Sequence, residues 1–377
     1  MISPQFRPIV GGYERAAERL STALSQRGLK IVVITEQRDR KWPAVEQIDG
    51  YKIRRLPCLY QRYFHMISSL TSFFSFLLLK GRNFDVWHVH QYGLHAALSV
   101  VMGKLLGRPT VLKLTSSDAM GIEQSVRKSI IGGILAFLHR QVSVCIAISE
   151  ETRKEAIRFG IPPENVHLIP NGLDGRQFYP VSPEERTVAR GALGMNCKCL
   201  VLYVGRLSPE KNPLGLLDAW AAIDSNVRSG VLLALVGDGP EQDRIKARIK
   251  ELKIADSVYL AGKRSDVERW YQAADIYVIS SNREGLSNSM IEAMASGLPV
   301  VSTRVSGSSV ILGYPASGLI VNVGDIKQLA LAIELLLRDK SMRTQFGMNA
   351  RKSFESRFSL KSVLPRLHLI YEHLKAR

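Results

Sequence analysis

Short β-branched apolar runs alternate along this chain with longer stretches in which apolar residues return every three or four positions. In the first half the runs Lys30–Thr35, Tyr51–Leu56, Asp85–His90, Thr110–Leu114, Ser143–Ile148 and Val166–Ile169 predict strands, each bounded by turn-forming residues. The stretches between them, Glu14–Gln26, His65–Lys80, Leu94–Leu106, Ser125–His139 and Glu150–Phe159, predict amphipathic helices. The second half repeats the scheme, with strands at Leu200–Val204, Val231–Val236, Ser257–Leu260, Ile276–Ile279, Val300–Ser302 and Gly318–Val321. Its helices fall at Pro213–Ile223, Glu241–Leu252, Asp266–Ala273, Ser289–Ser296 and Ile326–Leu337. Intervals this wide exclude hairpins and suit right-handed crossovers, so each half predicts a doubly wound parallel sheet. Asn171–Glu185, rich in Gly, Pro and polar residues, reads as a hinge between two Rossmann-like domains facing a cleft. Ser341–Arg377 reads as helical with a break near Ser359, packing on the second domain or crossing back to the first.

A length of 377 residues fits two or three domains, and 46% apolar with 23% charged residues excludes disorder and low complexity. Charge changes the picture more. Lys and Arg number 51 against 34 Asp and Glu, a net +17, which points to an anionic partner: nucleic acid, a phosphorylated ligand or an acidic membrane surface. Cys197 and Cys199 form a lone C-x-C, and Cys58 and Cys145 stand singly in apolar stretches. They read as reduced structural thiols of a cytoplasmic protein. Met1–Val10 has no apolar signal core. Phe64–Leu79, the longest apolar stretch, is broken by His65 and by Ser and Thr residues, and falls short of the roughly 20 apolar residues a bilayer span needs.

Open α/β sheets bind ligands at the carboxyl ends of their strands, and three loops placed there carry candidate chemistry. Leu200–Val204 runs into Gly205-Arg206-Leu207-Ser208-Pro209-Glu210-Lys211-Asn212. Gly205 permits close backbone approach, and a guanidinium fork with an ammonium point charge suits a diphosphate. The same two cations could equally be solvated loop residues. Val236-Gly237-Asp238-Gly239-Pro240 adds a tight turn of a kind common in loops. In Ser280–Pro299, Glu284 lies in the loop and Glu292 about one turn into a helix. There the N–H groups of Leu286, Ser287 and Asn288 would point at a phosphate. Carboxylates on either side suit the vicinal hydroxyls of a sugar and of a ribose. Ser289-x-x-Glu292 also reads as a capping box, which would make Glu292 structural.

These motifs occur together with Ala273-Ala274-Asp275-Ile276-Tyr277-Val278-Ile279-Ser280-Ser281, Ile169-Pro170-Asn171-Gly172-Leu173-Asp174, Gly11-Gly12-Tyr13-Glu14-Arg15 and Asp85-Val86-Trp87-His88-Val89-His90. In this order and spacing, the chain from about residue 3 to its end resembles the retaining GT-B glycosyltransferases of the group 1 (family 4) type. The resemblance implies a GT-B fold: an acceptor-side domain over 1–172, a nucleotide-sugar domain over 173–355, and a helix over 356–377 crossing back to the first. It implies transfer of a hexose-type sugar, with retention, from a nucleotide sugar to a glycan or lipid-linked acceptor of bacterial-type polysaccharide or glycolipid synthesis. Arg206 and Lys211 would hold the diphosphate, Glu284 the transferred sugar and Glu292 the ribose. Gly205, Gly237, Leu286, Ser287 and Asn288 would line the donor, Gly262 and Lys263 would lie against the base, and Gly11 and Gly12 would approach the phosphates. His90, Thr115 and Asn171 would touch sugar or acceptor. No Asp-x-Asp occurs, so metal-independent transfer without a cofactor is expected.

Two departures stand out. Thr115 and Ser116 occupy the place of a usual His-Gly pair, and Thr cannot carry positive charge. Either donor-sugar contacts differ, or His88 or His90 takes part; a metal at these two histidines lacks a clear third ligand. Only Met1-Ile2 precede Ser3-Pro4-Gln5-Phe6, where relatives carry an apolar strand. The first domain is therefore expected to lack that strand, as a truncated chain would, leaving unpaired ladder groups or a gap. Residues 1–165 hold 23 Lys and Arg against 13 Asp and Glu. Lys52, Arg54, Arg55, Arg62, Lys80 and Arg82 flank the apolar stretch, which suits an anionic membrane surface; alternatively Phe73–Leu79 is one core helix. The competing readings are a nucleotide-sugar epimerase of the same architecture and a non-catalytic relative. Nucleic-acid binding leaves the paired carboxylates unexplained.

Overall fold

The computed structural model describes residues 1–9, 11–61, 64–115, 131–313 and 316–376. The chain divides into two compact units, Met1–Gly172 with Leu360–Arg377, and Leu173–Ser359. The helix expected from 356 begins at Leu360 and belongs to the first unit.

In the first unit β1 (Val32–Gln37), β2 (Val45–Ile48) and β3 (Tyr51–Pro57) pair in the order β1-β3-β2, and β4 (Trp87–His90), β5 (Thr110–Leu114), β6 (Val144–Ala147) and β7 (Val166–Leu168) follow as a parallel run. Between β1 and β4 lies Met1–Ser3. Ile2 donates to the His88 carbonyl (2.7 Å) and accepts from His90 N–H (2.9 Å), while Ser3 N–H donates to Ile34 and Ile34 N–H to Met1. As expected, no strand stands there among the described residues: Met1–Ser3 form only isolated bridges, Ile2 to Ile34 and to Val89, which join β1 to β4, and beside them lies a cavity of about 690 Å³ lined by residues including Ile31, Phe76 and Trp87. β2 went unpredicted. It is joined to β3 by Asp49-Gly50, both left-handed (φ 49° and 84°), the conformation a tight antiparallel hairpin requires.

Strand alternation divides the core of this unit. Leu112, Leu114, Cys145 and Ala147 face helices His65–Lys80, Leu94–Leu106 and Gly132–His139. Val111, Val144 and Ile146 face Gly12–Ser25 and Leu360–Lys375, whose Val363, Leu367 and Tyr371 are buried against them. Burial on both faces explains why these strands read as continuous apolar runs. Of the helix expected over Ser125–His139, residues 125–130 lie outside the described residues.

The second unit is one parallel sheet in the order β10 (Val258–Gly262), β9 (Val231–Val236), β8 (Cys199–Val204), β11 (Ile276–Ile279), β12 (Val300–Thr303), β13 (Gly318–Val321). Successive strands run outward from β8 on one side and from β11 on the other, so the topological switch point lies between these two, where open sheets take ligands. The supposed hinge ends in a helix, Pro183–Ala192, opened by a reciprocal capping box between Ser182 and Glu185. Asp275 ties that helix to the sheet: it accepts from Arg186 (3.1 Å), from Arg190, and from the Leu200 N–H (2.8 Å). The Ala-Ala-Asp of the motif is thus a structural joint.

Candidate functional site

At the switch point the loops after β8 and β11 are sewn together by short polar residues. Ser280 Oγ donates to the carbonyls of Lys211 (3.1 Å) and Asn212 (3.0 Å), and Asn282 donates from its backbone to Glu210 (2.9 Å) and from its side chain to Pro209 (3.1 Å). Thr303 Oγ1 holds the Ser281 carbonyl at 2.6 Å. This brings Lys211 and Glu284, 73 residues apart in sequence, to 2.5 Å between Nζ and Oε1, and Ser281 Oγ donates to the same carboxylate oxygen at 2.8 Å. Lys211 is one-quarter exposed and Arg206 is exposed beside it, so both cations are open to a ligand.

The floor is backbone. Gly205 N–H donates to Val236, Leu207 N–H to Asp238 and Gly237 N–H to Gly262, linking three loops edge to edge. Gly237 has φ +147°, and a Cβ there would sit 1.8 Å from the Gly205 carbonyl oxygen, so a side chain would separate the two turns. Tyr203 Oη supports the first turn by donating to the Arg206 carbonyl (3.0 Å). Lys263, just past Gly262, is exposed.

The helix beyond Glu284 starts at Asn288, with Ser287 as N-cap, its Oγ accepting from Met290 N–H (3.4 Å). Ser289 is therefore inside the helix and the capping-box reading of Glu292 is corrected. Glu292 is 4% exposed and accepts from Tyr271 Oη at 3.1 Å. Leu286 and Ser287 are buried and Asn288 half-buried at the positive end of the helix dipole. The ensemble places two cations, two carboxylates and a helix N-terminus around one sheet edge, a donor set able to grip a diphosphate flanked by hydroxyl-bearing rings.

In the first unit His90, Thr115 and Asn171 fall at the carboxyl ends of β4, β5 and β7, one edge of the parallel sheet, and Gly11 and Gly12 stand at the start of the first helix. Gly11 precedes the helix Gly12–Ser25, and the Glu14 carboxylate folds back so closely that a Gly11 Cβ would lie 2.3 Å from its Oε2. Glu14 is buried, which pushes its carboxyl above the usual range. An acidic group thus already occupies the helix start where Gly11 and Gly12 were expected to meet phosphate. His90 is fully buried, stacked on His88 (centroids 4.7 Å apart), whose Nδ1 meets Tyr371 Oη at 2.5 Å. Burial holds both imidazoles far below their usual pKa and pushes the neighbouring Lys113 down to about 8. A ring closed off in this way contacts no sugar in this conformation. Thr115 is half-buried just past β5, and Asn171 is buried beyond β7. Among the described residues one trio has metal-ligand spacing, Glu36, Cys58 and His65, but Glu36 Oε2 is already held by Arg38 at 2.9 Å.

The helix His65–Lys80 buries Phe73, Phe76 and Leu77, yet exposes Ile67, Phe74, Leu78 and Leu79; it is apolar on both sides, and the reading as a purely core helix is corrected. Ile134 and Phe137 are exposed on Gly132–His139, and both helices pack against Leu94–Leu106 between them. Lys52, Arg54, Lys80 and Arg82 are exposed around this face. Arg55 is not among them: it is buried, paired with Glu46 at 2.7 Å, and Arg62 lies outside the described residues. No described helix is long and apolar enough to cross a membrane.

Sequence reasoning missed Tyr271, Ser280, Ser281 and Asn282. For Ser280, Ser281 and Asn282 the only signal was position, beside a strand end that already carried charged residues; Tyr271, within the helix Val267–Ala273, had none.

Comparison with known proteins bears on both units. The family model for glycosyl transferases group 1 matches residues 192–353, and that for Glycosyltransferase Family 4 matches residues 10–176. N-acetyl-alpha-D-glucosaminyl L-malate synthase of Bacillus anthracis is 26% identical over 77% of this chain and 74% of its own. The UDP-Gal:alpha-D-GlcNAc-diphosphoundecaprenol alpha-1,3-galactosyltransferase of Escherichia coli is 24% identical over 97% of this chain and 95% of its own. The crystal structure of HepE of Anabaena in complex with UDP superposes with a TM-score of 0.82 at 21% identity, covering 99% of this chain and 98% of that one. With each half matched by a model of one enzyme class, and the fold shared from end to end, this chain belongs to the group 1, family 4 glycosyltransferases of GT-B architecture.

Proposed function

We propose that the second unit holds a nucleotide-sugar donor at the switch point, and that the protein transfers its hexose to a glycan or lipid-linked acceptor of a bacterial-type surface polysaccharide or glycolipid. The observation that carries this reading is the Lys211–Glu284 pair at 2.5 Å, with exposed Arg206 beside it and Glu292 on the following helix. Lys211 spends one of its three N–H donors on Glu284 and keeps two for a phosphate oxygen. Arg206 supplies a planar fork for the diphosphate, Glu284 orients sugar hydroxyls, and Glu292 accepts from the ribose, while the base rests near Gly262 and Lys263.

Breaking the anomeric C–O bond puts positive charge on the sugar and negative charge on the departing diphosphate. Arg206, Lys211 and the start of the helix Asn288–Ala295 stand where that negative charge grows, and fixed dipoles of this kind are worth roughly 10²–10³ each in rate. The two cations supply the neutralisation a metal would otherwise provide, so transfer proceeds without one; retention of the donor's anomeric configuration is part of the proposal only through the chain's resemblance to retaining group 1 enzymes. The apolar, base-rimmed face of the first unit rests on an anionic membrane surface.

A thermal-shift screen against UDP-, GDP-, ADP- and dTDP-sugars in EDTA tests the donor site. A uridine donor leads, since the Escherichia coli relative is named for UDP-galactose and the Anabaena protein binds UDP. One nucleotide class should stabilise the protein, and Lys211→Ala and Glu292→Ala should abolish the shift. A shift unaffected by both substitutions would defeat the assignment.

A further inference from the structure

We infer that Tyr271 is a positioning residue for Glu292 and, through it, sets how strongly the protein prefers a ribose over a ring without hydroxyls. The inference rests on the reading of Glu292 as the ribose ligand. Tyr271 sits on the helix Val267–Ala273 and is completely buried. Its hydroxyl lies 3.1 Å from Glu292 Oε2 and 3.1 Å from the Ser289 carbonyl, so a single proton is shared between the carboxylate and the first turn of the helix that bears it. The ring cannot swing away. Phe178 meets it edge-on at 5.6 Å and Tyr277 packs against it at 5.7 Å, with Tyr277 Oη itself 3.4 Å from the Val204 carbonyl.

The consequence follows from carboxylate geometry. Accepting from two vicinal hydroxyls at once needs the carboxylate plane held at one orientation, and a side chain free to turn about its last bond offers that orientation only part of the time. Tyr271 fixes Oε2 from behind, through a group with no access to solvent. It therefore acts on the ligand only by way of Glu292. A neutral phenol donating to a carboxylate also leaves the negative charge in place, where a Lys or Arg partner would compete with the ligand for it.

The test is a binding comparison between UDP and 2′,3′-dideoxy-UDP on the full chain, with GDP and its dideoxy form run in parallel, for wild type, Tyr271→Phe and Glu292→Gln. Wild type should bind the ribonucleotide about 10- to 100-fold more tightly than its dideoxy form, as expected for hydrogen bonds to a charged group. Tyr271→Phe, which removes one oxygen, should cut that ratio at least about threefold while binding the dideoxy probe as wild type does. Unchanged dideoxy binding also reports that the variant is folded. An unaltered ratio in Tyr271→Phe, or equal weakening of both probes, would overturn the positioning role and leave Glu292 as read. A wild-type ratio near one, or binding of neither ribonucleotide, would instead remove the reading of Glu292 and the inference with it.

Discussion

Lys211 and Glu284 sit on loops 73 residues apart and meet because neutral neighbours hold the loops in register. Ser280, Asn282 and Thr303 spend their polar atoms on backbone carbonyls, which is what places the charged atoms to within tenths of an ångström. Gly237 is the counterpart on the other side of Gly205. Alanine there would combine a backbone conformation that L-residues avoid with a Cβ 1.8 Å from a carbonyl oxygen. Gly237→Ala should cost at least about 2 kcal/mol, seen as a fall in Tm of about 4–8 °C together with weaker donor binding. An unchanged Tm would mean the two turns are not locked as described. Legibility at this scale divides by chemistry. Arg206, Lys211, Glu284 and Glu292 stood out because they belong to motifs whose order and spacing carried the family resemblance. Tyr271 and Ser281 did not, since a buried aromatic and a loop serine are what any core and any loop contain. Glu292 shows the hazard of a short motif: Ser289 has capping chemistry, yet the chain turns into the helix two residues earlier, at Ser287.

At the scale of elements, periodicity found most strands and helices to within a residue or two, because burial on both faces of a parallel sheet leaves long apolar runs. Among the elements it passed over, besides the short helices Ser225–Arg228 and Ser308–Gly313, two carried a local signal of another kind: Asp49-Gly50 for the hairpin to β2, and Ser182-x-x-Glu185 for the helix Pro183–Ala192. Both were masked by the expectation of wide crossovers and a hinge. The helix His65–Lys80 is the element whose two faces tell different stories. Phe73, Phe76 and Leu77 belong to the core, whereas Ile67 is 65% and Leu78 53% exposed, a surface that solvent alone does not explain. Arg54 lies over the Phe76 ring at 5.3 Å, a cation held at the rim of the apolar face. Flotation with vesicles containing anionic lipid checks its role. Ile67→Glu with Leu78→Glu should abolish co-flotation while leaving the donor-induced thermal shift intact, and raised salt should weaken the wild type. Undiminished flotation of the double variant would take this face out of the proposed membrane contact.

At the scale of the whole molecule, the excess of positive charge resolves into separate tasks. Arg206 and Lys211 serve the second unit's sheet edge, Lys52, Arg54, Lys80 and Arg82 rim the exposed apolar face of the first, and Arg55, Arg186 and Arg190 are spent inside on Glu46 and Asp275. The bridge across the first-unit sheet was not legible in advance. A three-residue segment carries no periodicity, and only the paired hydrogen bonds of Ile2 reveal that it joins β1 to β4. The fold class, by contrast, was written throughout the chain, in the repeated strand–helix spacing of both halves. The two halves are tied to glycosyl transfer by the family models that match them, and hydrogen exchange read peptide by peptide directly addresses the donor edge proposed for the second unit. With the stabilising nucleotide sugar added in EDTA, amides in 205–212 and 284–292 should gain protection, and Lys211→Ala should erase that gain. Protection confined to other segments, or none with any of the four nucleotide classes, would contradict the placement of the donor.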